Sequence, residues 1–278
     1  MIPTAFGYDR PASLDEALGL LAAHGPDTKV LAGGQSLLPL LKIRLAHADH
    51  LVDIGRLAEL RGVRRLANGG LALGALTTYA ELIASEACQL ALLADALPEI
   101  GDVQVRNRGT VGGAIAHADP SSDLPACLLA LGAEVVLQSV RGARTVPVDG
   151  FFRGPFQSAL EPDELLTEIL LPAPRADAGS AYMSLTQPAS GYSMVGVAAV
   201  VFGGGRAGIG ITGVGEHPYR AASVEAALEA GATPAQAASH ATDGVAVAGD
   251  LHADPVYRRA MAEVYTRRAI EAARARLG

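Results

Sequence analysis

Two glycine-rich stretches, about eighty residues apart, constrain this chain more than any other feature. The first is Val30–Pro39, Val-Leu-Ala-Gly-Gly-Gln-Ser-Leu-Leu-Pro. The second is Arg106–Ala114, Arg-Asn-Arg-Gly-Thr-Val-Gly-Gly-Ala, and it runs on to Ala118–Pro125, Ala-Asp-Pro-Ser-Ser-Asp-Leu-Pro. Each sets a glycine pair beside a hydroxyl residue at the end of an expected strand. Paired glycines reach backbone angles that other residues avoid and let a ligand approach the main chain. Consecutive N–H groups can then converge on an anion such as a pyrophosphate. One such loop is as well explained by a simple turn. Two of them, the second trailed by Asp123, point to one long dinucleotide held at several places.

Local patterns place these stretches. Ser13-Leu-Asp-Glu16 is a capping box, and Leu14, Ala17, Leu18, Leu21 and Ala22 repeat at helical spacing up to Gly25. Strands are expected over 29–32 and 50–54, with a helix over 36–46 that Pro39 starts or interrupts. A second capping box, Thr78-Tyr-Ala-Glu81, opens a helix expected to run toward Leu97. Further expected elements are strands over 70–76, 134–140 and 163–172 and a helix over 124–131. The Pro/Ala/Gly run over 172–179 reads as a linker. Beyond it, 192–202 and 207–214 read as a hairpin, followed by helices near 221–230, 233–242 and 255–277. The class is α+β: an N-terminal unit over 1–175, with lobes of about 1–57 and 58–175, and a smaller α+β unit over 176–278.

Composition excludes several functions. A net charge of −7 argues against a general nucleic-acid surface. Two lysines against twenty arginines leave no lysine-rich membrane patch. No stretch of about 18 residues lacks charge or turn residues, so no membrane-spanning helix is expected, and the N-terminus does not read as a signal peptide. Cys88 and Cys127, the only cysteines, cannot make a CxxC pair or an iron–sulfur cluster, and they fit a reducing cytoplasm. The seven histidines hold neither HExxH nor an i, i+4 pair, so no metal site is expected.

In the first loop the amides of Gly33, Gly34, Gln35, Ser36 and Leu37 and the Ser36 hydroxyl are candidate anion ligands. No Lys or Arg lies between Leu31 and Leu41, so backbone dipoles would carry the binding. In the second, Thr110 can donate its hydroxyl, and Gly112 and Gly113 are expected to expose amides. Asp123 suits either sugar hydroxyls or a helix N-cap. Gly208-Ile-Gly-Ile-Thr-Gly213 satisfies GxGxxG, but Val-Gly-Glu-His-Pro218 follows and cannot open the required helix, so a glycine-rich strand is expected. No GxSxG and no nucleophile–base pair is found. Such a chain holds a cofactor that carries the chemistry.

At both loops the sequence resembles the flavin-binding medium subunit of molybdenum hydroxylases, of the carbon monoxide dehydrogenase type. Ala32–Pro39 matches the family's Ala-Gly-Gly-(His/Gln)-Ser-Leu-(Leu/Ile)-Pro, and Val105–Pro125 matches its second signature. Gly213–Ala221 and Asp254–Arg259 resemble stretches nearer its C-terminus. The resemblance implies the FAD-binding fold of vanillyl-alcohol oxidase and p-cresol methylhydroxylase, with a small C-terminal domain. It implies FAD held by Ala32, Gly33, Gly34, Gln35, Ser36 and Leu37, and by Thr110, Val111, Gly112, Gly113 and Ala114. Asp123 would take ribityl or ribose hydroxyls, Leu166 would touch the flavin region, and Tyr192 would stand beside the isoalloxazine as the catalytic candidate. It implies partners too: a small iron–sulfur subunit and a large molybdenum-cofactor subunit, assembled as a dimer of heterotrimers. The chain departs from the family near the ring. Ser184 and Thr186 stand where cations are usual, and Gly191 where an acid is usual, which lowers the expected flavin potential unless an arginine or a partner compensates. The rival readings are a self-sufficient FAD oxidase or reductase of the same fold, and a nucleotide-binding scaffold without catalysis.

Overall fold

A computed structural model describes residues 2–278. Its first lobe is a parallel three-stranded sheet in which β3 (His50–Asp53) lies between β1 (Gly7–Asp9) and β2 (Thr28–Leu31). Parallel strands need crossovers, and α1 (Leu14–His24) and α2 (Leu37–Lys42) supply them. The α1 capping box forms by half. Ser13 accepts the Glu16 N–H at 3.2 Å, but the Glu16 carboxylate takes the Ala12 N–H at 2.7 Å rather than that of Ser13. Ala17, Leu18 and Leu21 of α1 pack with Val52 and Ile54. Gly19 lies on the outer face, with no atom within 4 Å of where a Cβ would stand. Gly19→Ala should therefore raise unfolding stability by about 0.5–1 kcal/mol through helix propensity alone. A denaturant midpoint equal to or below that of the parent would contradict this.

The second lobe is an antiparallel sheet in the order β4 (Val63–Arg65), β5 (Leu71–Gly74), β10 (Leu165–Leu171), β6 (Glu134–Ser139) and β7 (Gly142–Pro147). A short pair, β8 (Phe152–Gly154) with β9 (Gln157–Ser158), stands beside it. The helix expected from Thr78 toward Leu97 is broken. The Thr78–Glu81 capping box is complete, but α3 (Tyr79–Ile83) stops after five residues. The Ser85 hydroxyl donates to the Leu82 carbonyl at 2.7 Å and accepts the Ala87 N–H at 3.2 Å. That local alternative restarts the chain as a tighter turn before α4 (Ala91–Ala96). Then come α5 (Val103–Arg108), α6 (Val111–His117) and α7 (Asp123–Leu131).

The C-terminal sheet is antiparallel: β11 (Ala178–Thr186), β12 (Ser193–Phe202), β13 (Ala207–Thr212) and β14 (Tyr219–Arg220). The expected hairpin is the β12–β13 pair. Helices α8 (Ala222–Glu229), α9 (Pro234–Ala238) and α10 (Pro255–Arg274) accompany it. The α9 helix is half the length expected. Gly208–Thr212 of the GxGxxG stretch lie in β13, as a strand, and Gly213 follows in a turn with φ +79°. A Cβ on Gly208 would stand 3.1 Å from the Ala130 carbonyl carbon, and one on Gly210 would stand 2.9 Å from that of Ala126. These glycines let α7 lie directly on the sheet. Tyr182, Ala198 and Val200 accordingly share one core with Leu93, Leu124 and Leu128. Val195, Val197 and Ile211 instead pack with Val224, Ala269 and Ile270.

Candidate functional site

The first glycine motif follows β2 and turns into α2. Gly34 has φ +76°, the left-handed region that glycine enters without cost. Among the described residues, the N–H groups of Gly33, Gly34, Gln35, Ser36 and Leu37 have no acceptor in the protein. Ser36 occupies the α2 N-cap in a helical conformation and caps nothing, so its hydroxyl is also free. Five successive unbonded amides near the surface form a ready anion cradle.

The second motif is built differently from expectation. Residues 111–117 are helical, and their first amides are already used. Val111 donates to the Thr77 carbonyl and Gly112 to that of Ala75, each at 2.9 Å, while Gly113 donates to the Thr110 hydroxyl at 3.2 Å. Gly112 and Gly113 therefore do not expose amides to a ligand. A Cβ on Gly112 would lie 2.8 Å from both Cα and O of Ala75, so this glycine serves close helix–strand packing. Thr110 accepts from Gly113 and retains its own proton for donation. The two motifs meet directly. A Cβ on Gly33 would stand 2.9 Å from the Arg108 carbonyl carbon and 3.1 Å from Gly109 Cα, and one on Gly113 would come within 3.9 Å of Ala32 Cβ.

Their junction opens into a cleft of about 270 Å³ where Arg10, Asp53, Arg56 and Arg108 surround Ala32 and Gly33. An adjoining space of about 140 Å³ adds Arg61, Thr78, Asn107 and Thr110. Asp53 is committed elsewhere, accepting the Tyr8 hydroxyl at 2.6 Å and the Gly55 N–H at 2.9 Å. Four arginines thus line the cleft into which Gly33, the first residue of a loop that looks cation-free along the sequence, opens. Arg108 could have been found, since Asn-Arg-Gly-Thr belongs to the motif itself. Arg10, Arg56 and Arg61 arrive from other strand ends and leave no local signal.

Asp123 opens α7 and is 7% exposed. Its Oδ1 accepts the Ser193 hydroxyl at 2.5 Å and also that of Tyr182. Burial pushes its carboxyl above the usual carboxylate range, against the pull of those two hydrogen bonds. Ser122, with no side-chain capping bond, is the N-cap. Asp123 is thus first of all the link between α7 and strands β11 and β12. Tyr192 stands at the end of a tight turn in which Gln187 donates to the Tyr192 carbonyl at 2.8 Å, and the residue is 55% exposed. Partial withdrawal from water, then the carboxylates of Asp119 and Asp123, raise its hydroxyl pKa. Leu166 is buried in the large core next to a β10 bulge, so its side chain faces protein. Ser184 pairs with Gly196 and Thr186 with Ser193. By strand alternation both share a sheet face with Tyr182, the side turned toward α7. His117 leans on Phe156, ring centroids 5.1 Å apart, as a packing residue. Among the described residues no helix is long and apolar enough to cross a membrane.

Known proteins agree with this architecture. Residues 4–174 match the FAD-binding domain of molybdopterin dehydrogenases, and residues 180–273 match the C-terminal domain of the carbon monoxide dehydrogenase flavoprotein. The carbon monoxide dehydrogenase medium chain of Hydrogenophaga pseudoflava is 41% identical, over 99% of each chain. The caffeine dehydrogenase beta subunit of a Pseudomonas species is 35% identical, over 100% of this chain and 97% of that one. A solved carbon monoxide dehydrogenase from Hydrogenophaga pseudoflava, lacking the Mo-pyranopterin moiety of its cofactor, superposes with a TM-score of 0.95 at 43% identity, covering 100% of both chains. The run of free amides beside a ring of arginines also fits a pyrophosphate diester, independently of those likenesses. The chain belongs to the FAD-binding medium-subunit family of molybdenum hydroxylases, oxidoreductase flavoproteins of the carbon monoxide dehydrogenase type.

Proposed function

We propose that this chain is the electron-transfer subunit of a three-subunit molybdenum hydroxylase. Electrons released at a molybdenum centre in a large partner pass through iron–sulfur clusters of a small partner, and through this chain to an external acceptor. Bound FAD supplies a carrier that stores two electrons and exchanges them singly. The observation that carries this reading is the run of free amides over Gly33–Leu37, whose first residue, Gly33, lines a cleft with Arg10, Arg56 and Arg108. Its donors would hold the FAD pyrophosphate, with Ala32 and the Thr110 hydroxyl closing the other side. Val111, Gly112, Gly113 and Ala114 would act through shape, letting α6 sit close enough to complete the cleft. Leu166 and Tyr192 would border the flavin ring, and Asp123 would meet the sugar chain.

The division into a unit over 1–175 that grips the nucleotide and a unit over 176–278 that presents Tyr192 belongs to the same reading, as does assembly as a dimer of heterotrimers. Both cysteines are free, in keeping with a reducing cytoplasm. Relatives whose names specify carbon monoxide and caffeine are similarly close, so the large subunit would select the substrate. The test is the metal content of the complex isolated gently from its own host. Molybdenum and iron co-purifying with FAD in a fixed ratio are expected. FAD obtained at full occupancy with neither metal, in a preparation that turns over a substrate alone, would overturn the subunit reading in favour of a self-sufficient flavoenzyme.

A further inference from the structure

We propose that Asp9, His24 and His50 form a site for a divalent transition-metal ion of the zinc class. The three residues come from β1, the last turn of α1 and the central strand β3, so no local spacing announces them. One ligand atom from each lies within 4.8 Å of the others. His24 Nε2 stands 3.1 Å from Asp9 Oδ2, and His50 Nε2 contacts that same oxygen. Both imidazoles turn Nε2 toward Asp9 Oδ2; they stack with centroids 3.8 Å apart and planes 14° from parallel, and to share one ion in their ring planes they would splay out of this stack.

The surroundings are built for these rings. Gly7 is the in-register neighbour of His50 on β1, and a Cβ there would stand 3.2 Å from His50 Cγ. Glycine at this position makes room for the imidazole. On the other side Thr28 is in register with His50, and its buried hydroxyl oxygen finds no partner among the described residues. The C-terminal end of α1, where His24 sits, favours positive charge.

Two imidazoles and one carboxylate suit zinc, nickel or copper, whereas calcium and magnesium require mostly oxygen. The side chains of His24, His50 and Asp9 are 32%, 21% and 38% exposed, which leaves a position open to water. Bound metal would clip β1 to α1 and β3. Arg10, which lines the anion cleft, follows Asp9 directly, so the clip also steadies one wall of that cleft.

Zinc titration of the metal-stripped full-length chain by calorimetry tests this, with cobalt(II) absorption reporting coordination. One saturable equivalent and tetrahedral cobalt bands are expected. His24→Gln and His50→Gln should each weaken zinc by at least about 10–100-fold, the range already seen when only outer-shell support is lost. His47→Gln and His240→Gln remove more exposed histidines that likewise pair with one aspartate each, Asp49 and Asp243, and should change nothing. Zinc should raise the melting temperature of the parent but not of His24→Gln, a variant at a helix end that is expected to fold. Absence of saturable zinc binding, or parental affinity in both His24→Gln and His50→Gln, would overturn the proposal.

Discussion

Gly33→Ala, a single added methyl group, should strip FAD from this protein. The backbone at Gly33 is not in the left-handed region, so alanine is conformationally acceptable and the effect is steric. Its Cβ would lie 2.9 Å from the Arg108 carbonyl carbon and 3.1 Å from Gly109 Cα, both backbone atoms that no rotamer change can move. Relief requires the first motif to back away from the second. Gly33, the first of the free amides, then no longer stands beside Arg108 in the cleft. Overpacking of this kind costs about 1–3 kcal/mol, and levied on binding it lowers FAD affinity roughly 5- to 150-fold. The flavin-to-protein absorbance ratio after gel filtration, followed by titration of the stripped chain with FAD, measures it. Gly19→Ala is the matched control, since it adds the same methyl to open space. Parental FAD affinity in Gly33→Ala would mean that the two motifs do not jointly hold the cofactor.

That prediction also shows what the sequence could and could not disclose. The motifs were visible because each is a contiguous run with a local purpose. Their relation was not. Gly112 looks like a phosphate-binding glycine but is needed where α6 touches Ala75. The amides of Val111 and Gly112 are consumed by the Thr77 and Ala75 carbonyls, a fact that depends on where the chain between β5 and α3 passes. The first motif seems short of positive charge until β1 and β3 deliver Arg10 and Arg56 from their ends. The same distance effect conceals Asp9, His24 and His50, separated by 15 and 41 positions counted from Asp9. Where local chemistry competed with itself, as at Ser85, periodicity alone favoured one long helix and a side-chain hydrogen bond decided otherwise.

Asp123 yields the second large effect, and its two variants separate structure from binding. Asp123→Ala leaves the hydroxyls of Tyr182 and Ser193, residues 4% and 1% exposed, without their carboxylate acceptor and with only each other, 3.5 Å apart. An orphaned buried donor costs about 1–3 kcal/mol. Because the pair can still satisfy one of its two donors, a loss of about 1–3 kcal/mol in unfolding stability is expected. Asp123→Asn keeps an acceptor oxygen for both hydroxyls and removes only the charge. Because burial raises the carboxyl's pKa, the folded chain binds its proton more readily than the unfolded chain does. The acid's contribution to stability is therefore greatest below the ordinary carboxylate pKa and declines as pH rises through the higher folded value. Asparagine has no such dependence. Relative to the parent, Asp123→Asn should be most favourable at neutral pH and lose that advantage in acid, as read from denaturant midpoints across the range. FAD affinity then settles what else the residue does. If its carboxylate takes a hydroxyl of the cofactor as a charged acceptor, Asp123→Asn should weaken FAD even while the fold holds. If Asp123 serves only to fasten α7 to β11 and β12, the asparagine variant should keep FAD as tightly as the parent, and only Asp123→Ala should release it.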